Sequence, residues 1–284
     1  MQALPHALPR YWADLCSSDF ARLDPARTVA VLPVAATEQH GPHLPLNVDT
    51  VLLEGVIATA LTQLPATVPV LFLPTQAVGK SNEHLGFAGT LSVDARTAIQ
   101  VWMELGACVA RSGVRKLLLF NAHGGQVSLM DIVARDLRVA HGLLTYSASW
   151  YSLPVGDAVQ NLFSPDEHRF GIHGGDIETS MMLALRPQQV RMDQARRFAS
   201  SSQLRATQYP ILGNGYSAKM GWQMQDYNPA GAAGDAAAAT AEKGQALLRA
   251  AGQQLALLLA ELAELPLSTL VQAPDVPSRP PGEA

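Results

Sequence analysis

The residues best suited to chemistry lie in Thr37-Glu38-Gln39-His40-Gly41-Pro42-His43-Leu44-Pro45-Leu46-Asn47-Val48-Asp49, directly after an apolar run at residues 29–36. Glu38 and His40 are two apart, so in extended backbone both side chains leave one face about 7 Å apart. That spacing suits two neighbouring metal ions better than one. Asp49 returns across a Pro-rich turn and can offer one oxygen to each ion. Charged groups at the mouth of a buried strand need compensation, and cations supply it. Mixed carboxylate and imidazole donors suit zinc, manganese or iron rather than calcium or magnesium. Two ions bridged by hydroxide act as a Lewis acid toward a carbonyl or phosphoryl oxygen. The pattern therefore points to hydrolysis.

Further polar clusters follow along the chain: Ser81, Glu83 and His84; Asn121-Ala122-His123-Gly124-Gly125; and His173-Gly174-Gly175-Asp176-Ile177-Glu178-Thr179-Ser180. Each also has a plain structural reading. His123 before two glycines reads equally as a helix entry or a weak anion site. Asp176 and Glu178 sit in a first helical turn, where the helix dipole favours carboxylates anyway. Glu83 and His84 suit a solvated turn as well as a site. His43 is better placed to support the cluster than to bind metal, and His6, His141 and His168 read as surface residues.

Positioning these groups requires a frame. Apolar runs at residues 29–36, 68–74, 116–120 and 143–149 match strands covered on both faces. Helical patterns lie between them at 51–64, at 92–112 with Ser92 as cap and Asp94 in the first turn, and at 126–141, stopping at Gly142. Alternating strand and helix predicts an α/β fold with a mostly parallel sheet, whose ligands bind at the carboxyl ends of the strands. The clusters above fall there. Beyond residue 149, residues 150–172 are rich in loop signals, 177–185 predicts a helix, and 190–229 a long covering loop. Within that loop, residues 209–227 could close over the pocket or reach a neighbouring subunit. Residues 236–265 predict an amphipathic helix. Residues 1–273 form one expected domain, and the Pro-rich residues 274–284 read as a disordered tail.

With 48% hydrophobic and 15% charged residues, the 284-residue chain is globular in composition. A net charge of −4 gives no reason to expect nucleic acid or a membrane surface as partner. Two cysteines far apart provide neither a disulfide framework nor a zinc finger. No signal-peptide core or run of about 20 apolar residues is visible, so cytoplasm is the expected location.

Taken together, these motifs resemble the creatininase family of metal-dependent amidohydrolases. The matching pieces are Glu38-Gln39-His40-Gly41-Pro42-His43-Leu44-Pro45 with Asp49, Ser81-Asn82-Glu83-His84-Leu85-Gly86, Asn121 to Gly125, His173 to Ser180, and Gly231-Ala232-Ala233-Gly234-Asp235 with Glu242-Lys243-Gly244. The resemblance implies a three-layer α/β/α sandwich, a binuclear centre of divalent ions (Zn, Mn or Fe), a small-molecule amide substrate and a homo-oligomer, often a hexamer. Carried over by position, Glu38 and His123 hold one ion, His40 the other, and Asp49 bridges. Where creatinine-hydrolysing members place a ligand glutamate, this chain has Gly125. Asp176 is the expected replacement, with Glu178 as second choice or as a catalytic partner. His173 matches the family's proton shuttle. Glu83, His84 and Trp150 are expected at the substrate. Arg169 replaces a tryptophan of the creatinine-binding members, which disfavours creatinine; with His168 it hints at an anionic or phosphorylated ligand, although an Arg in a loop is more often just solvated. The expected activity is hydrolysis of a non-peptide C–N bond, a cyclic amide or formamide, by a metal-bridging hydroxide. Alternatives are a phosphoesterase, a sugar isomerase, or a non-catalytic ligand-binding member.

Overall fold

The computed structural model describes residues 9–273, so His6 and the expected tail at 274–284 lie outside the described residues. Strands β1 (Val29–Val34), β2 (Val70–Phe72), β3 (Lys116–Asn121) and β4 (Leu144–Ser149) form a parallel sheet in the order β2-β1-β3-β4. Helices α1 (Val48–Gln63), α2 (Ala95–Arg111) and α3 (Val127–His141) alternate with them. Short helices α4 (Asp157–Gln160) and α5 (Pro165–Phe170) follow, then α6 (Asp176–Leu185), α7 (Ser201–Gln208), α8 (Met224–Tyr227) and α9 (Ala241–Glu264). A small antiparallel pair, β5 (Arg197–Phe198) and β6 (Gly234–Asp235), stands apart from the main sheet.

Strand alternation divides the core. Val29, Val31, Leu118 and Phe120 face a layer built from α1, α6 and α9. Ala30, Leu32, Val34, Leu117 and Leu119 face α2 and α3, packing among Trp102, Val133 and Leu137. Both sheet faces are thus buried, which is why β1 and β3 read as unbroken apolar runs. The result is the expected three-layer α/β/α sandwich. β3 opens on a buried charge, Lys116, whose Nζ donates to the Ala263 carbonyl at 2.7 Å. A cation there suits the negative end of α9.

Helix α9 is long and apolar enough to cross a membrane, but half of that apolar window is buried within the fold. It lies so close to α6 that a Cβ on Gly244 would stand 1.9 Å from the Ser180 carbonyl oxygen. Backbone cannot yield cheaply there. Gly244→Ala is expected to lower stability by about 1–3 kcal/mol through overpacking, read as a drop in the denaturant midpoint; an unchanged midpoint would refute the contact.

Some boundaries differ from expectation, with consequences for the site. α1 begins at Val48 rather than at residue 51, placing Asp49, just past the Pro-rich turn, in its first helical turn. Asp94, not Ser92, caps α2 by accepting from the Thr97 N–H at 2.9 Å, while Ser92 Oγ accepts from the Ser81 N–H at 2.8 Å. The 150–172 stretch carries α4 and α5, the latter announced by Ser164-Pro165-Asp166-Glu167, with Ser164 as cap. The covering segment at 190–229 holds β5, α7 and α8.

Candidate metal centre

The carboxyl ends of β1 and β3, the loop after β2 and the start of α6 deliver Glu38, His40, Asp49, His84, His123, His173 and Glu178 to one place. Glu38 and His40 are not held apart on extended backbone. The His40 Nδ1–H donates to the Glu38 carbonyl at 3.0 Å, and His40 Nε2 lies 3.9 Å from Glu38 Oε1. Asp49 faces two ways: Oδ1 is 3.6 Å from His40 Nε2, and Oδ2 is 3.7 Å from His123 Nδ1. Glu38 Oε2 stands 3.2 Å from His123 Nδ1 and accepts from Ser81 Oγ. Glu178 Oε2 is 3.9 Å from His40 Nε2 and accepts from the Gly174 N–H at 2.6 Å.

Hydrogen bonds around the cluster set which ring nitrogens look inward. The His123 Nε2–H is directed to the Lys80 carbonyl at 3.0 Å and to Glu83 Oε1 at 3.1 Å, which turns Nδ1 toward Glu38 and Asp49. Asn121 locks the turn beneath it, accepting from the His123 N–H at 2.9 Å and donating to the His123 carbonyl at 2.8 Å. The Gly41 N–H donates to Gln39 Oε1 at 2.9 Å, so the Gln39 amide donates its Nε2–H to His84 Nδ1 at 2.8 Å. Neutral His84 therefore carries its proton on Nε2, 3.5 Å from Glu38 Oε1. The His173 Nε2–H donates to the Gln39 carbonyl at 2.6 Å, leaving Nδ1 as a lone pair 3.8 Å from Glu38 Oε1. Buried His40 Nε2 and Asp49 Oδ2 have no hydrogen-bond partner, a costly state that a cation would relieve. The donor set fits divalent metal.

The charges respond to this crowding. Burial pulls His123 down, but the charge and hydrogen bond of Glu38, together with Glu83, hold it well above the usual imidazole range. Glu38 shows the converse: burial pushes it up, and His123 carries it well below the usual carboxylate range. His40 is raised to about 9, since Asp49 and Glu178 outweigh its burial. Burial and the Glu38 charge raise Asp49 to about 6. Burial and neighbouring imidazoles lower His84 to about 2 and His173 to about 4, keeping both neutral. Metal must therefore displace protons from His40 and His123 at neutral pH. Loading at about pH 7 in weak buffer is expected to acidify the solution. Affinity should rise by about tenfold per pH unit per proton displaced, up to about pH 9. Titrations in buffers of differing ionisation heat would measure it, and affinity flat between about pH 6 and 8 would contradict it.

The structure corrects one choice among the acidic residues. Asp176 is not brought to the cluster: Oδ2 takes the Lys243 ammonium at 2.7 Å and Oδ1 the Ser180 hydroxyl at 2.9 Å. Glu178, on the opposite face of α6, instead brings Oε2 to 3.9 Å from His40 Nε2. Glu83 likewise lies behind His123 rather than on the cleft. A Cβ at Gly125 would fall 1.5 Å from Glu83 Oε1, so the space of a side chain at 125 is filled by Glu83. His84 stands inside the cluster, its ring centre 4.2 Å from that of His173. Trp150 lines a cleft of about 350 Å³ above the centre, with Tyr151, His168 and Ile177. His43 is buried beside it, paired with the Thr179 hydroxyl at 2.9 Å.

Sequence reasoning missed Glu167, a buried carboxylate that also borders this cleft. It accepts from the Asp235 N–H at 2.9 Å and the Ile177 N–H at 3.4 Å. Cβ atoms on Gly171, Gly175 and Gly234 would each come within 2.8 Å of its carboxylate. These glycines, scattered in sequence around a single acid, were the available signal. His168, read as a surface residue, is exposed yet lies at the cleft mouth.

A parallel α/β sandwich with buried carboxylates and imidazoles gathered at the carboxyl edge of its sheet defines an α/β protein with a candidate metal-binding site. The family model described as creatinine amidohydrolase matches residues 13–259, and the chain belongs to the creatininase family. The mycofactocin precursor peptide peptidase of Mycobacterium tuberculosis is 34% identical over 191 residues, 64% of this chain and 68% of that protein. The creatinine amidohydrolase of Pseudomonas putida is 33% identical over 183 residues, 61% and 70% of the two chains. A manganese creatininase structure superposes with a TM-score of 0.71 at 26% identity, covering 90% of this chain and 99% of that one. These relatives are hydrolases, and the shared fold carries a metal site.

Proposed function

We propose that this chain is a metal-dependent amidohydrolase that cleaves a non-peptide C–N bond, in a cyclic amide or formamide, using two divalent ions. The observation that carries this reading is Asp49, whose two oxygens face His40 and His123 separately, with Glu178 beside the first and Glu38 beside both. Glu38, Asp49 and His123 would hold one ion, and His40, Asp49 and Glu178 the other. Bound there, such ions supply Lewis acidity toward a carbonyl oxygen and activation of water at neutral pH.

The side chains divide the remaining work. His173 presents an unprotonated Nδ1 beside Glu38, suited to taking a proton from attacking water and handing it to the departing nitrogen. His84 offers a fixed Nε2–H to an oxygen that gains charge. The Trp150 indole N–H, buried without a partner, is a donor for a substrate acceptor. A cleft of about 350 Å³ admits a small amide.

A peptidase reading stands second, favoured by the M. tuberculosis relative of that name. Metal-loaded protein incubated with formamides, cyclic amides, short peptides and phosphoesters separates the readings. Release of formate, ammonia or ring-opened acid supports the first, while peptide fragments support the second. Phosphate release alone would sink both.

A further inference from the structure

A second cavity, of about 270 Å³, lies next to the metal centre and has no role in the chemistry above. Its wall includes Arg169, Arg205 and Lys219, drawn from α5, α7 and the segment before α8, and no carboxylate. None of these cations makes an ion pair among the described residues, whereas Arg135, Arg197 and Lys243 each pair with an aspartate. The chain as a whole carries 24 acidic against 20 basic residues, so a basic pocket without acids runs against its composition. Solvated surface cations are common, but convergence around one cavity is unfavourable until an anion arrives.

Two of the cations are also held in place. The Arg205 guanidinium stacks over the Tyr227 ring at 5.0 Å and donates to Ser201 Oγ at 2.9 Å. That of Arg169 lies over Phe170 at 4.9 Å. A guanidinium so fixed loses little freedom when it grips an oxyanion with two parallel N–H donors.

Position ties the cavity to catalysis. Ile172 is a shared wall between it and the metal cleft, one residue before His173. On another side, Trp222 packs edge-on against the His84 ring at 6.0 Å and against Tyr227 at 5.1 Å, and Tyr227 lines the cavity. A ligand with its reactive group over His84 and His173 would thus have a basic pocket within a side chain's reach.

We propose that Arg169, Arg205 and Lys219 form a binding site for an anionic group of the substrate, a carboxylate or a phosphate. Resting on the amidohydrolase reading, this makes the substrate an amide that carries negative charge away from the bond cleaved.

The test uses full-length, metal-loaded protein and two probes, inorganic phosphate and N-acetylglycine, titrated by calorimetry at low salt. Wild type is compared with Arg205→Met/Lys219→Met, with Arg135→Met as a control for surface charge and the Asp49→Asn variant to remove anion binding by the metals. The double variant is expected to weaken one probe at least about tenfold, while Arg135→Met leaves it unchanged and Asp49→Asn retains the difference. Selective loss of phosphate affinity assigns a phosphorylated substrate, and selective loss of N-acetylglycine affinity a carboxylate. Equal affinity in wild type and double variant, with Arg169→Met also silent, overturns the site. Should the probes report the pocket while no amide is hydrolysed, the anion site stands and the amidohydrolase reading falls.

Discussion

Replacing Asp49 by Asn is expected to abolish binding of both ions and to lower amide hydrolysis by at least about a thousandfold. Its two oxygens face His40 and His123 separately, and Glu38, which also reaches both rings, is already engaged by the Ser81 hydroxyl and the His84 ring, so it does not replace Asp49. Stability should move differently. Burial and Glu38 raise the Asp49 carboxyl to about 6, so its ionised form opposes folding when no cation is bound. That penalty is absent below the unfolded carboxyl value, grows as pH rises toward about 6, and is complete above it. At neutral pH, metal-free Asp49→Asn should therefore unfold no more easily than metal-free wild type, while the stabilisation that metal confers on wild type disappears. Elemental analysis with thermal melts, metal added and withheld, would measure both. A variant retaining two ions and full turnover would refute the assignment of Asp49.

The second large effect separates the acids at the start of α6. Glu178→Ala is expected to lose metal from the His40 side and to cost at least about a hundredfold in turnover. Lys243→Met should leave metal content intact yet destabilise the fold by about 3 kcal/mol, because it strands the buried Asp176 carboxylate without its cation. Removing Asp176 should likewise spare the metal. The opposite pattern, metal lost with Asp176 and kept without Glu178, would restore the expectation drawn from family position.

This pair of residues shows where reading the sequence stops. Residues two apart on a helix point about 200° away from one another, so only one of Asp176 and Glu178 can face the cluster. Which one depends on the rotation of α6 about its axis, and that is set by packing against α1 and α9. Neither neighbour is visible from the motif itself. Glu83 raises the same difficulty: its carboxylate backs His123 because Gly125, far along the chain, leaves the space open.

The first motif suffered less. Glu38, His40 and Asp49 lie within one short segment after β1, so local chain geometry already limits how far apart they can be. The frame was legible for a related reason. Parallel strands buried on both faces must be apolar throughout, and the helices between them end at stops such as Gly142, although the cap of α2 proved to be Asp94 rather than Ser92. The covering segment, 190–229, lacks any such period and hid α7 and α8 until seen in place.

Residue types and spacing alone thus determined an α/β architecture with a mostly parallel sheet and a metal-binding chemistry, since each rests on periodicity or on neighbours in the chain, while the family was legible only through the resemblance of the ordered motifs. Tertiary structure decided which carboxylate turns inward, which ring nitrogens are free, and that a basic pocket adjoins the centre. Those outcomes depend on helix rotation and on hydrogen bonds between segments remote in sequence, and only the folded packing of the layers sets them.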